Sequence, residues 1–478
     1  MNLQQAIATA EAETIEPAAI EALRAKLRGQ VLVPADGADY DAARQVWNAM
    51  IDRRPALIVR CQGAADVIDA VSFAREHGLP VSIRGGGHNV AGHAVCDDGL
   101  MIDLTPMRGV RVDPEGRRAW VDGGATWGDV DRETQAFGLA TPGGLISDTG
   151  VAGLTLSGGI GWLRSRYGLC IDNLVSADVV TAEGRLLHAS ETENGDLFWA
   201  LRGGGGNFGV VTAFEFQLHA VGPTVSFCAP LYPLELGGPA IRAWRDFLAD
   251  KNDAIGSLVE FSTVPEDPGY PAEAWGKKVF TLAALYAGDA EAGERIFAPL
   301  RELGAPVVDF SGQMPYREVQ KLFDAVVPFG RHRSYWKSLY IDALPDALID
   351  EIVARLGEAP SPNTLASIWN FGGATARVPA DATAFGDRSM AYMLSIDSIW
   401  EKPEDDETNI AWTRSFWQDM QRHSAGGRMY LNFPGLGEEG ETLLKRTFGA
   451  NYPRLARIKN KYDPHNLFRF NQNIVPGA

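Results

Sequence analysis

The sequence predicts an α+β protein with two unlike halves, and three observations carry that prediction. A strand–helix–strand pattern spans residues 56–84, the kind of unit that yields parallel strands. From there to about residue 222 the chain reads as strands with few helices, and it holds just over half of the 52 glycines. After Pro223 strand-like stretches alternate with amphipathic helices, as in a mainly antiparallel sheet flanked by helices.

The elements follow in order. Residues 13–50 are patterned as helix, over Pro17–Leu27 and then Asp41–Met50. Ala56–Arg60 is strand-like, and Ala64–His77 is an amphipathic helix closed by Gly78. Pro80–Arg84 is a short buried strand that runs into Gly85-Gly86-Gly87-His88-Asn89. Gly99–Asp103 and Arg117–Asp122 are strands, and Thr126 suits the N-cap of a helix reaching Phe137. Leu174–Ala182, the Glu183-Gly184 turn and Arg185–Ala189 form a hairpin. Asp196–Leu201 is a short helix, and Val210–Leu218 alternates as a strand. The second half offers strands at Val225–Leu231, Val279–Tyr286, Tyr335–Ile341, Leu365–Phe371 and Met390–Ile396. Between them lie helices at Pro239–Leu248, with Pro239 in its first position, Asp289–Leu303, Asp346–Leu356 and Asp405–His423. A last helix ends near Tyr462, before the turn Asp463-Pro464 and an irregular polar end.

Composition narrows the function. With 44 basic and 61 acidic residues the net charge is −17, which disfavours a nucleic-acid partner. No run of 18 apolar residues occurs, so no spanning helix is expected, and the acidic N-terminal stretch is unlike a signal peptide; the expected location is the cytoplasm. Cys61, Cys96, Cys170 and Cys228 form no CxxC pair and read as free thiols of a reducing compartment. The 52 glycines among 478 residues are about 11%, against a usual ~7%, and have no collagen period. Such clustering means tight turns or backbone brought close to a ligand.

Several motifs fail on context. Gly204–Gly209 satisfies GxGxxG, but a helix precedes it and a strand follows, the reverse of a dinucleotide-binding turn. GxSxG and HExxH are absent, no P-loop occurs, and no metal-ligand spacing is seen. Two clusters are more informative. At Arg84–Asn89 three glycines end a buried strand, so their N–H groups can turn inward as an anion-binding nest; the other reading is a plain tight turn. Over Thr149–Trp162, glycines at 150, 153, 158, 159 and 161 leave room either for a large planar ligand or for a packing seam.

These segments, with Tyr167-Gly168-Leu169, Leu197–Gly205, Asn207–Thr212, Tyr430-Leu431-Asn432-Phe433 and Tyr462–Ile474, resemble in order and spacing the FAD-linked oxidases of the vanillyl-alcohol oxidase/PCMH superfamily, in the berberine-bridge-enzyme-like group. The likeness runs from about Val46 to Pro476. It implies a PCMH-type, two-subdomain FAD-binding domain over 1–222, a substrate-binding domain over 223–449 whose sheet roofs the flavin, and a segment 450–478 that returns to the first domain. It implies FAD, with Arg84, Gly85, Gly86, Gly87, His88 and Asn89 at the diphosphate. Thr149, Gly150, Gly153, Leu154, Ser157, Gly158, Gly159, Gly161, Trp162 and Val210 would bind it further along. Asn471 and Asn473 would approach the flavin or else cap the C-terminal turn.

His88 matches the histidine that the family joins covalently to the flavin. His93 falls outside that motif. A second, cysteinyl link would fall near Ile146 or Ser147, neither a cysteine, so one link is expected; Cys170 reads as a buried small residue. Phe433 stands where several members keep a tyrosine base, which leaves Tyr430, Tyr335 and Lys337, with His332 and Tyr392, as candidates. Trp369 and Asn370 would line the pocket or fill the core. The implied activity moves a hydride from a small alcohol, amine or sugar-like substrate to flavin N5, with O2 as acceptor and H2O2 as product. The alternatives are a dehydrogenase slow with oxygen and a non-redox cyclase, and the oligomeric state is open.

Overall fold

The structure is a computed structural model that describes residues 15–251, 253–424, 426–437 and 440–477. The first two residues of the expected helical stretch and most of the acidic N-terminal segment lie outside the described residues.

Three sheets organise the chain. The first has the order β1-β2-β4-β3, from β1 (Gln30–Leu32), β2 (Leu57–Arg60), β3 (Val81–Arg84) and β4 (Leu100–Asp103). The two strands of the strand–helix–strand unit, β2 and β3, do not touch; each pairs in parallel with β4 between them. The helix Ala64–Glu76 covers this sheet with Val67, Ala70, Val71 and Ala74. The helix expected over Asp41–Met50 is instead Ala38–Arg44. The residues after it are held by other bonds: Trp47 N–H donates to Gly87 O, and the Asn48 amide to Val90 O and Ser334 O. That stretch of backbone braces the glycine loop and cannot also close helical turns.

The second sheet, β5 (Val110–Asp113), β6 (Arg118–Asp122), β8 (Leu174–Val180), β9 (Leu186–Ser190) and β10 (Val210–Gln217), is antiparallel in the order β5-β6-β10-β8-β9. A short pair, β7 (Leu139–Ala140) and β11 (His219–Ala220), lies beside it. Thr126 caps the helix Trp127–Gln135 through a reciprocal box with Asp129. The β8–β9 hairpin turns at Gly184, whose φ of 76° suits glycine.

The third sheet has nine strands: β12 (Thr224–Cys228), β13 (Pro230–Pro233), β14 (Ile255–Thr263), β15 (Lys278–Tyr286), β16 (Val308–Asp309), β17 (Gly312–Pro315), β18 (Arg333–Ile341), β19 (Leu365–Asn370) and β20 (Tyr392–Trp400). Its main order is β16-β13-β15-β14-β19-β20-β18. The single strand expected at Val225–Leu231 is two, broken at Ala229. Strand β14 is not among the expected strands: its first seven residues are all buried, so the in–out alternation that marks a strand is missing. The four expected helices are present at Gly237–Ala249, Ala290–Arg301, Asp346–Gly357 and Asp406–Met420. Pro239 stands third in its helix rather than first.

This sheet is buried on both faces. Val259 of β14, Leu339 of β18, Ala366 and Ile368 of β19 and Leu394 of β20 pack against the helices. Leu258, Tyr340, Trp369 and Met393, one residue out of phase, face the glycine-rich half. From Met429 onward the chain rejoins the core of that first half, through Leu431, Leu444, Phe448, Leu455, Ile458 and Ile474. That return begins well before the expected residue 450, because a helix at Glu441–Phe448, not foreseen, is already part of it.

Candidate active site

A cavity of about 320 Å³ lies where the glycine loops meet the inner face of the nine-stranded sheet. Its floor begins at Gly85–Asn89, which leaves the end of β3. Arg84 turns its side chain away, to Ala43 O and to within 5.9 Å of the Phe329 ring centroid, and burial lowers its pKa. The two glycine loops cross at backbone contact. A Cβ on Gly86 would overlap the Gly150 amide, and a Cβ on Gly150 would overlap the Gly86 amide. Gly159 and Gly161 are also packing glycines, pressed on Cys170 and on Gly143 O. Gly153 and Gly206 differ: both line the cavity, and a Cβ on either would meet no protein atom within 4 Å.

The Thr149–Trp162 segment is therefore not one bare platform. Val151–Leu156 is a short helix whose Leu154 and Gly153 line the cavity, with Thr149, Gly150 and Ser157. Gly158, Gly159, Gly161 and Trp162 lie behind it. Trp162 is a core residue, edge-on to Phe227 at 5.2 Å. Cys170 sits beneath Gly159, with Sγ 3.2 Å from Thr155 Oγ1, and burial pushes its thiol pKa up. Val210, at the start of β10, lines the cavity.

His88 stands at the cavity edge, stacked on Trp47 with centroids 5.9 Å apart. Its Nε2 lies 3.1 Å from Asp148 Oδ1, and its Nδ1 3.4 Å from Thr149 Oγ1. Asn89 Oδ1 accepts from the His93 N–H, closing the loop. His93 also lines the cavity, and burial lowers its pKa to about 4.

Strand parity sorts the candidates for the base. On β18 the odd residues point to the helices. Tyr335 accepts from Arg414 Nε there, and the Lys337 ammonium lies 3.9 Å from the Trp417 ring centroid. Neither lines the cavity, and neither does Tyr392, which packs near Trp244 on the same helical side. His332 lies outside it too, 3.9 Å from Glu401. The even residue Trp336 enters instead. Asn370 is structural, accepting from Arg164 and from the Ser257 N–H, whereas Trp369 lines the wall.

Tyr430 does line the cavity. Its phenol oxygen accepts from Gly159 N–H, Ile160 N–H and the Asn432 amide, at 2.8–3.3 Å. Burial pushes its pKa up to about 12. A phenol so committed is a clamp between two loops, with little capacity to take up a proton at neutral pH.

The residues that sequence reasoning missed are two carboxylates in the roof. Glu260 of β14 faces Ser367 of β19 in register and is hydrogen-bonded by it. Asp397 of β20 lies directly across from Trp336 and accepts from Ser395. Both line the cavity and both are more than nine-tenths buried. Burial pushes the Asp397 carboxyl up to about 7, and pushes Glu260 well above the carboxylate range, with the Asp397 charge adding to it. An acid inside an apolar strand run is the signal that could have found them.

The tail supplies the last wall. Phe468, Phe470, Asn471 and Gln472 line the cavity, while Asn473 does not. The Asn471 amide donates to Gly206 O and Phe468 O, so it does close the turn. A buried pair fixes the tail: Lys459 lies 2.6 Å from Asp463 and also donates to Asn207 O and Phe468 O. The Asn207 side chain holds Gln472 O and the Ile474 N–H.

The arrangement fits FAD. A β-strand ends in three glycines whose N–H groups can cradle a diphosphate. The open positions at Gly153 and Gly206 leave room for a ring system against backbone. Among the described residues, Asn471 Oδ1 and both polar atoms of the Gln472 amide are buried without a hydrogen-bond partner, as a polar cofactor edge requires.

Comparison with known proteins agrees. Residues 55–190 match the family model described as FAD binding domain, and residues 429–475 the one described as berberine and berberine like. An FAD-linked oxidoreductase of Bacillus subtilis is 32% identical over 95% of this chain and 98% of its own length. (R)-6-hydroxynicotine oxidase of Paenarthrobacter nicotinovorans is 31% identical over 94% of this chain and 97% of its own. The crystal structure of 6-hydroxy-D-nicotine oxidase from Arthrobacter nicotinovorans superposes with a TM-score of 0.82 at 31% identity, covering 94% of this chain and 98% of that one.

Proposed function

Because the chain belongs to the FAD-linked oxidoreductases of the berberine-bridge-enzyme-like group, we propose that it is an oxidase taking a hydride from a small alcohol, amine or sugar-like molecule. The acceptor in this reading is O2, and the product H2O2. The supporting observation is the opposition of a glycine-lined floor and a roof bearing two buried carboxylates. Bound FAD supplies the hydride acceptor and the route for electrons to oxygen.

The chain's own residues do the rest. The backbone of Gly85–Gly87 would hold the diphosphate, and Gly153, Gly206, Asn471 and Gln472, which line the cavity, would take up the rings. Asp397 serves as the base. A carboxyl with a pKa of about 7 is half ionised at neutral pH, so it can take the proton of a substrate O–H or N–H and release it later. Ser395 orients its acceptor oxygen. Tyr430 and Asn432 hold the loop at residues 159–160 against the cavity. In this proposal His88 carries the flavin covalently, with the Asp148 carboxylate 3.1 Å from its Nε2.

Anaerobic mixing with panels of amines, alcohols and sugars tests the activity. Bleaching of the flavin absorbance followed by rapid recovery in air is the expected result. Recovery only with an artificial dye would overturn the oxidase assignment.

A further inference from the structure

The roof of the cavity carries two buried carboxyls with no cation beside them in the cavity wall, and we infer that the substrate is a cationic amine. This rests on the reading above that the cavity is where substrate is oxidised. Glu260 and Asp397 line it, and among the described residues no lysine or arginine does. Ser367 and Ser395 donate hydroxyl hydrogen bonds to the two carboxyls, which leaves the charge in place. A buried ionised carboxylate without a counter-ion is unfavourable.

The remaining titratable groups of the lining are Tyr430 and two histidines. Tyr430 holds its proton, and His93 is kept neutral by burial. His88 is turned to Asp148 and Thr149 on the loop side. Burial raises both carboxyls, to about 7 at Asp397, so the pair is partly ionised at neutral pH and a bound cation favours its ionised form. A neutral sugar or alcohol would leave that charge unmatched, whereas a monocation cancels it.

The surrounding walls agree. Trp336 lies across from Asp397 in register, and Phe433 stands edge-on to Trp336 at 5.2 Å. Aromatic faces around a desolvated carboxylate suit an alkylammonium group. The indole N–H groups of Trp336 and Trp369 are buried without a hydrogen-bond partner among the described residues, and Trp369 is 6% exposed. Two unpartnered donors in the wall call for an acceptor on the ligand. The class is thus an amine with an apolar body and at least one hydrogen-bond acceptor. On binding, one ammonium N–H bond breaks, its proton forms an O–H bond on the ionised carboxylate, and the electron pair stays on nitrogen. Both charges vanish together, and the free lone pair lies next to the C–H bond to be oxidised.

The test is calorimetric titration of the flavin-containing protein with benzyltrimethylammonium and with benzyl alcohol. The quaternary probe has no N–H and no lone pair, so it reports binding apart from turnover. It should bind about tenfold or more tightly than the alcohol. In Asp397→Asn and Glu260→Gln, which keep shape and can keep the serine bonds, that preference should fall to about twofold through weaker binding of the quaternary probe. Equal affinity for the two probes, or a preference that survives in both variants, overturns the amine class. Anaerobic bleaching by glucose or benzyl alcohol, with benzylamines inert, overturns it too and leaves the oxidase reading standing. Protein that isolates without flavin removes the oxidase reading, and the titration still decides the cation.

Discussion

Replacing Asp397 by Asn should make the protein less active and more stable at once. The wild-type carboxyl is buried and keeps its proton up to about pH 7, whereas in the unfolded chain it releases it near 3.8. Between those values the folded state binds more protons than the unfolded state, so stability falls as pH rises through that window. A rise from 3.8 to about 7 corresponds to about 4 kcal/mol, an upper figure for this group at pH 8. Asn carries no charge and can still accept from Ser395, so most of that loss should be recovered. Urea unfolding at pH 5 and pH 8 measures it: the variant should gain up to about 4 kcal/mol over wild type at pH 8 but only about 1.6 kcal/mol at pH 5. The rate of anaerobic flavin reduction should fall by about 10²–10⁴, the range for loss of a general base. Its pH profile should lose the limb that rises near pH 7. A variant that loses rate yet gains nothing at pH 8, or keeps the limb near 7, would refute the burial argument.

Other substitutions separate packing from binding. Gly153→Leu should leave the fold intact, with a helix slightly stabilised by up to about 1 kcal/mol, while flavin is lost, because its Cβ meets no protein atom and the side chain extends into the cavity; melting temperature and the flavin absorbance read the two effects. Gly150→Ala should do the opposite and destabilise the protein, since its Cβ overlaps the Gly86 backbone; a melting temperature equal to wild type would contradict the loop crossing. His88→Ala should release its flavin on acid precipitation while wild type retains it, with Asp148→Asn intermediate. Asp463→Ala should cost about 3–5 kcal/mol by stranding the Lys459 charge, measured by denaturant unfolding.

The glycine clusters are visible in the sequence, but their division of labour is not. Gly86, Gly150, Gly159 and Gly161 are required by backbone crossings between distant segments, and Gly153 and Gly206 by open space; residue type alone cannot tell the two apart. The covalent candidate and the glycine loop are legible because they are contiguous in the chain. The roof is not. Tyr335 and Lys337 lie on a strand that the sequence does predict, but both faces of its sheet are buried, so hydropathy cannot say which parity meets the cavity. Glu260 sits on β14, hidden by its continuous burial. Asp397 falls one residue beyond the expected end of its strand, which in fact continues to Trp400.

The docking of the tail has a consequence for how the molecule is made. Phe468, Phe470, Asn471 and Gln472 form part of the cavity wall, and the Lys459–Asp463 pair sets them there. These residues leave the ribosome after the loops at 85–89 and 149–157 that they complete. The pocket therefore cannot close around a cofactor during synthesis, and flavin capture belongs to the finished chain.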